Sequence, residues 1–98
     1  MRITEVLWKE QFVEKLDVKH GVSTDEVEEV FSTAFRFSFI AKGDVAGENL
    51  YRALGQTTSG RYLAVFFLYK KSGRALPISA RDMDAKERRN YGKKQNQE

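Results

Sequence analysis

In the stretch LPISARDMDAKERRNY, Leu76 to Tyr91, an apolar run gives way to Arg81, Arg88 and Arg89 among Asp82, Asp84 and Glu87. A guanidinium fork suits phosphate, because it offers parallel N–H donors to two oxygens at once. Cleaving RNA without a metal needs three things: help in deprotonating a ribose 2′-hydroxyl, stabilisation of charge on the phosphate, and a proton for the leaving oxygen. Arg81, expected at a strand end where a helix begins, and Arg61, after the TTSG turn, are candidates for the second task. His20 is the single histidine and has the side chain suited to proton transfer near neutrality. Arg52, Ser79, Arg88, Arg89 and Tyr91 are candidates for binding the chain of an RNA, Tyr91 (like Tyr62) by stacking on a base. Each has a plainer reading beside it. Arg81 suits an ion pair with Glu87 or with an acidic residue of the second helix, His20 suits a helix C-terminus, Arg88 and Arg89 suit a solvated helix face, Ser79 is a small neighbour, and Tyr91 is an apolar anchor for a weak helix.

Other chemistries lack their residues. With no cysteine and one histidine there is no thiolate or zinc site, no carboxylate pattern of an EF-hand and no disulfide. GDVAG and SGR match neither the Walker nor the dinucleotide loop, and no serine stands in a nucleophile elbow. No cofactor or metal is expected. Residues 1–49 hold six Lys/Arg and ten Asp/Glu, whereas residues 50–98 hold eleven and four. A basic second half suits a polyanion such as RNA, or an acidic protein; pairing of the two halves within the fold explains it equally well. No apolar run reaches a membrane span, and MRITEVLWKEQF is no secretion signal, so a cytoplasmic protein is expected.

At 98 residues with 41% hydrophobic content, one domain over residues 1–92 is expected, followed by a flexible basic and polar tail, 93–98. A first strand is read over Ile3 to Trp8. Phe12, Val13 and Leu16 share one face of a following helix, with Gly21 as its left-handed cap. Ser23 and Glu26 have capping-box spacing ahead of Val27, Val30, Phe31 and Ala34, which marks a second helix. The period then switches to two: Phe35, Phe37 and Phe39 alternate with Arg36 and Ser38. NLYRALG, RYLAVFFLYK and RALPISAR follow as strands, the second apolar on both faces and therefore central. Pro77 places the last strand at an edge or leaves it paired on one side only. Asp84 and Glu87 repeat the capping-box spacing and open a last helix with little apolar surface, so that it is either loosely docked or completed by a partner. The order predicts an α+β fold: a strand and two helices, a mainly antiparallel three- to four-stranded meander, then a C-terminal helix.

VKHGVSTDEVEEVF, YRALGQTTSGRYLAVFF and above all ISARDMDAKERRNY resemble the BrnT family of type II toxin–antitoxin toxins, over residues 6–92. The resemblance implies a RelE-like fold, a ribonuclease that halts translation, and neutralisation by a BrnA-type ribbon–helix–helix antitoxin, with operator DNA reached only through the antitoxin. Its matching polar positions are Lys19, His20, Arg61, Ser79, Arg81, Glu87, Arg88 and Tyr91. Where the family commonly has Trp-Asp after the first strand, this chain has Trp8-Lys9. A non-catalytic module of the same fold, binding RNA or antitoxin, is the alternative.

Overall fold

A computed structural model describes residues 1–33 and 35–96, with side chains described except at Val18 and over 93–96. The elements are β1 (Glu5–Val6), α1 (Glu10–Lys15) running into a π-helical turn (Leu16–His20), α2 (Thr24–Ser32), β2 (Arg36–Ala41), β3 (Asn49–Gln56), β4 (Tyr62–Lys70), β5 (Arg74–Asp82) and α3 (Ala85–Asn96). They form an α+β fold around one five-stranded mixed sheet in the order β1-β5-β4-β3-β2.

β2 to β5 form the expected antiparallel meander, with four strands. The first strand is shorter than expected: Glu5 and Val6 alone pair, parallel to Arg74 and Ala75 of β5. That parallel pairing adds the fifth strand, and beyond Ala75 the outer edge of β5 is open. Pro77 stands on that open side, next to a register shift that pairs Phe66 with Ser79 and Phe67 with Pro77 and leaves Ile78 bulged. A residue without an N–H is tolerated at such a place. β4 is the central strand, and Leu63, Ala64, Val65 and Phe67 are all buried.

The two faces of the sheet carry different layers. Leu63, Val65, Phe67, Ala53 and Ala80 meet Leu16, Val22, Val27, Val30 and Phe31 of the helix pair in the main core. α2 lies so close to β3 that a Cβ on Gly55 would come within 2.7 Å of Val30 Cγ1. On the other face, Leu54, Ala64, Met83 and Tyr91 make a small second core under α3, flanked by Tyr62 and Phe66. Both capping boxes form: Ser23 Oγ accepts from the Glu26 N–H and Asp84 Oδ1 from the Glu87 N–H, and the glutamates return the bonds. Gly21 caps the π turn at φ 61°, with the Val22 N–H bonded to the Leu16 carbonyl at 3.2 Å. Ala34, read as part of α2, and residues 97–98 of the tail read as flexible lie outside the described residues; the backbone of residues 93–96 of that tail instead continues the helix of α3, which runs to Asn96.

Candidate functional site

Strand register fixes which side chains share the sheet face under α3. Arg36 pairs with Leu54, Leu54 with Ala64, and Ala64 with Arg81, so Arg36 and Arg81 stand at the two ends of one row across the meander. The next row reads Ser38, Arg52, Phe66, Ser79. Strands lie about 4.8 Å apart, so these two rows place three guanidinium groups and two hydroxyls along a strip of about 14 Å. Arg81 lies with its guanidinium carbon 5.4 Å from the centre of the Phe66 ring.

Glu87 organises this strip. Its carboxylate is 3% exposed and accepts from Arg81 Nη1 at 2.7 Å, Arg81 Nη2 at 3.1 Å and Arg52 Nη1 at 3.1 Å, as well as from the Asp84 N–H at 2.9 Å. Burial alone pushes a carboxyl up; the Arg81 guanidinium and the Asp84 backbone N–H together hold the Glu87 carboxyl below its ordinary range. It is therefore ionised near neutrality, and Arg81 is correspondingly held more firmly protonated by it. One anion faces two cations directly, and Arg36 and Arg88 add to the positive side. Arg81 also gives its second Nη1 proton to the Asp82 carbonyl, which leaves two of its five donors without a protein acceptor among the described residues.

α3 is docked more firmly than its sequence implies. Tyr91 is 4% exposed and meets Tyr62 edge to face at 6.1 Å, and the Arg88 guanidinium lies 4.1 Å over the Tyr62 ring. With Glu87 buried between arginines, the helix is held by one ring, one cation–π contact and an ionic clamp rather than by an apolar stripe. Tyr91 is thus the anchor, and its ring is not open for stacking on a base; Tyr62 has its ring covered by Arg88 and Tyr91. Arg89 is exposed on the same helix. Beneath α3, a cleft of about 80 Å³ opens between Arg36, Ser38, Arg52, Asn90 and Tyr91. Arg52 Nε is buried beside it without a hydrogen-bond partner.

Arg61 belongs to the other face. Its Nε and Nη2 donate to Asp82 at 2.8 and 3.3 Å, Nη1 to the Gly21 carbonyl and to Glu26 at 2.8 and 3.2 Å, and Nη2 to the His20 carbonyl at 3.2 Å. These bonds engage all five donors, so the expected pairing of Arg61 with Arg81 at one phosphate is not what the fold builds. The hydrogen bond to Asp82 holds the Arg61 guanidinium above its ordinary range and the Asp82 carboxyl below. His20 ends the π turn in the helix layer and touches Arg61 through its backbone carbonyl; no contact joins it to the Arg81 cluster among the described residues. Arg52, Ser79, Arg81 and Arg88 are thus brought onto one face, while Arg61 and His20 stand on the opposite one. Arg36, Ser38 and Asn90 were not singled out as site residues, although the alternation in FRFSFIA already sets Arg36 and Ser38 opposite the phenylalanines.

Among the described residues no group of three or more His, Asp or Glu side chains is placed to hold a metal ion, and no helix is long and apolar enough to cross a membrane. Residues 8–87 match the model of a family described as the ribonuclease toxin, BrnT, of type II toxin–antitoxin systems. The fold is similar to the crystal structure of the Brucella abortus ribonuclease toxin, BrnT, with a TM-score of 0.61 and 24% identity over 82% of this chain and 96% of that one. No curated protein matches the chain.

Proposed function

Since the chain belongs to the BrnT family of ribonuclease toxins of type II toxin–antitoxin systems, we propose that the α3 face is its RNA site and that it cleaves RNA without a metal. Such cleavage would inhibit translation in the cytoplasm, under the control of a ribbon–helix–helix antitoxin that also carries the complex to its operator; a RelE-like fold goes with this reading. The observation that carries it is the pair of Arg52 and Arg81 held at a single buried carboxylate, in a strip across the sheet that Arg36 continues. Arg81 has the role of binding the scissile phosphate, since it is pre-aligned by Glu87 and retains donors directed away from it. Alignment before the substrate arrives is what makes fixed donors effective at a developing negative charge. Arg52 and Arg36 would take flanking phosphates, Ser79 would bond a phosphate or ribose oxygen, and Arg88 and Arg89 would extend the track along α3. Arg61, saturated by protein acceptors, is given a structural role, and His20 is given none in proton transfer.

Incubation of a defined RNA with the protein in EDTA, beside Arg81→Gln and with ribosomes present and absent, tests this. Cleavage by the parent and a loss of 100-fold or more in a folded Arg81→Gln protein is the expected result. Intact RNA with the parent under every condition would instead favour the non-catalytic module. One observation favours that second reading: the strongest bonds of Arg81 go to Glu87, as in a structural ion pair.

A further inference from the structure

α3 covers only part of its sheet face. Beyond the row of Ser38, Arg52, Phe66 and Ser79, the next row is Leu50, Leu68 and Leu76, and with the bulged Ile78 it floors an open groove of about 480 Å³. Phe12 of α1 closes it along the open side of β5, and Val45 of the β2–β3 loop stands on the opposite wall. Lys9, Lys42 and Lys70 rim it; Lys70 is bonded to Glu48 at 2.6 Å, and Asp44 is the other acid. Val45 is 57% exposed at the edge of this apolar floor.

We propose that this groove receives an acidic, amphipathic segment of the antitoxin, with its apolar side chains on the leucine floor and its carboxylates at Lys9 and Lys42. The identity of the partner rests on the function proposed above; the chemistry of the occupant does not. The aliphatic floor, which makes up most of the groove, offers RNA no stacking surface, and only the rim lysines could meet phosphates there. A second copy of this chain, docked by a two-fold axis, would bring together two rims that each hold three lysines against Asp44 and Glu48, an excess of positive charge on both sides. A volume of this size holds a few large aliphatic side chains, as one face of a short helix presents them. The groove also runs into the arginine strip. Leu68 is two residues from Phe66, the ring under Arg81, so a segment lying along the leucine floor ends beside the arginine strip. The same segment would anchor in the groove and cover the phosphate site.

The test is the affinity of the full-length chain for its purified cognate antitoxin, in the parent, Val45→Asp, Lys42→Glu and, on the far side of the molecule, Asp25→Lys. Both groove positions are exposed, so the variants are expected to melt as the parent does. Expected are Kd values at least tenfold weaker for Val45→Asp and for Lys42→Glu, and a value within twofold of the parent for Asp25→Lys. A photo-crosslinker at position 45 should capture the antitoxin. Parent-like affinity in both groove variants, or a crosslink to RNA or to a second copy, would overturn the inference. RNA cleavage by each variant alone is measured separately and should be unchanged; its absence in the parent would sink the catalytic reading while leaving the Kd comparison to decide the groove. Failure of the parent to bind the antitoxin at all would remove both the partner and the proposal.

Discussion

Arg61 and Arg81 carry the same five donors, and their neighbours decide what those donors are for. Arg61 fastens the β3–β4 turn to the end of the π turn, the start of α2 and the end of β5. Arg61→Lys keeps the charge but not the fork, so it should lower unfolding stability by about 2 kcal/mol in urea titration, allowing for the partial exposure of its carboxylates, and leave RNA affinity unchanged. Arg81→Gln should do the reverse, with RNA cleavage falling far more than stability. The sequence placed both arginines near a phosphate site because it reveals strand ends and turns but not which face a turn residue serves. Alternation along a strand is legible, and Ser79 and Arg81 share a face as their spacing requires. Arg61 precedes β4, where no alternation applies, and the four residues that accept from its guanidinium lie 21 to 41 positions distant in sequence.

At the scale of elements, α2 and α3 are opened by the same device and held by different forces. Ser23 and Glu26 cap a helix with an apolar stripe, whereas Asp84 and Glu87 cap one whose glutamate is also its principal attachment. Glu87→Gln leaves Arg81 and Arg52 facing a neutral amide. It should weaken α3 docking by about 2–3 kcal/mol, less than the loss for a fully buried pair because both arginines reach solvent. Faster amide exchange confined to α3 would show it. The pH dependence follows the same carboxylates. Glu87, Glu26 and Asp82 are all held below their ordinary ranges in the folded state, so their stabilisation is complete above about pH 4.5 and is lost as pH falls through the lowered values. Melting temperature should accordingly hold from neutrality to about pH 5 and drop below it, and Glu87→Gln should flatten the drop. Gly55→Ala, against Val30, should cost about 1–3 kcal/mol by overpacking, measured as a shifted urea midpoint. Both capping boxes, the central β4 and the edge placement of Pro77 were legible, because each depends on local spacing. The two paired residues of β1 and the firm seating of α3 were not, since long-range partners create them: β5 for the first, and Arg52 and Tyr62 for the second.

Over the whole molecule, the charge imbalance between the two halves of the chain becomes an imbalance between two sides of a sheet. Asp25, Glu28 and Glu29 line the outer surface of α2, and Arg36, Arg52, Arg81 and Arg88 gather on the α3 side. If three or four phosphates are neutralised there, log K for single-stranded RNA should fall with log salt at a slope of about −2 to −3, and Arg81→Gln should make the slope shallower by about 0.7. A slope near zero would remove the α3 face from RNA binding. Opposite charge on opposite sides also gives the molecule a permanent dipole across the sheet, from helix pair to α3. In the field of a polyanion such a body feels a torque before it feels a contact. It would turn its arginines forward during diffusion, so that at low ionic strength a larger share of collisions arrives in a productive orientation.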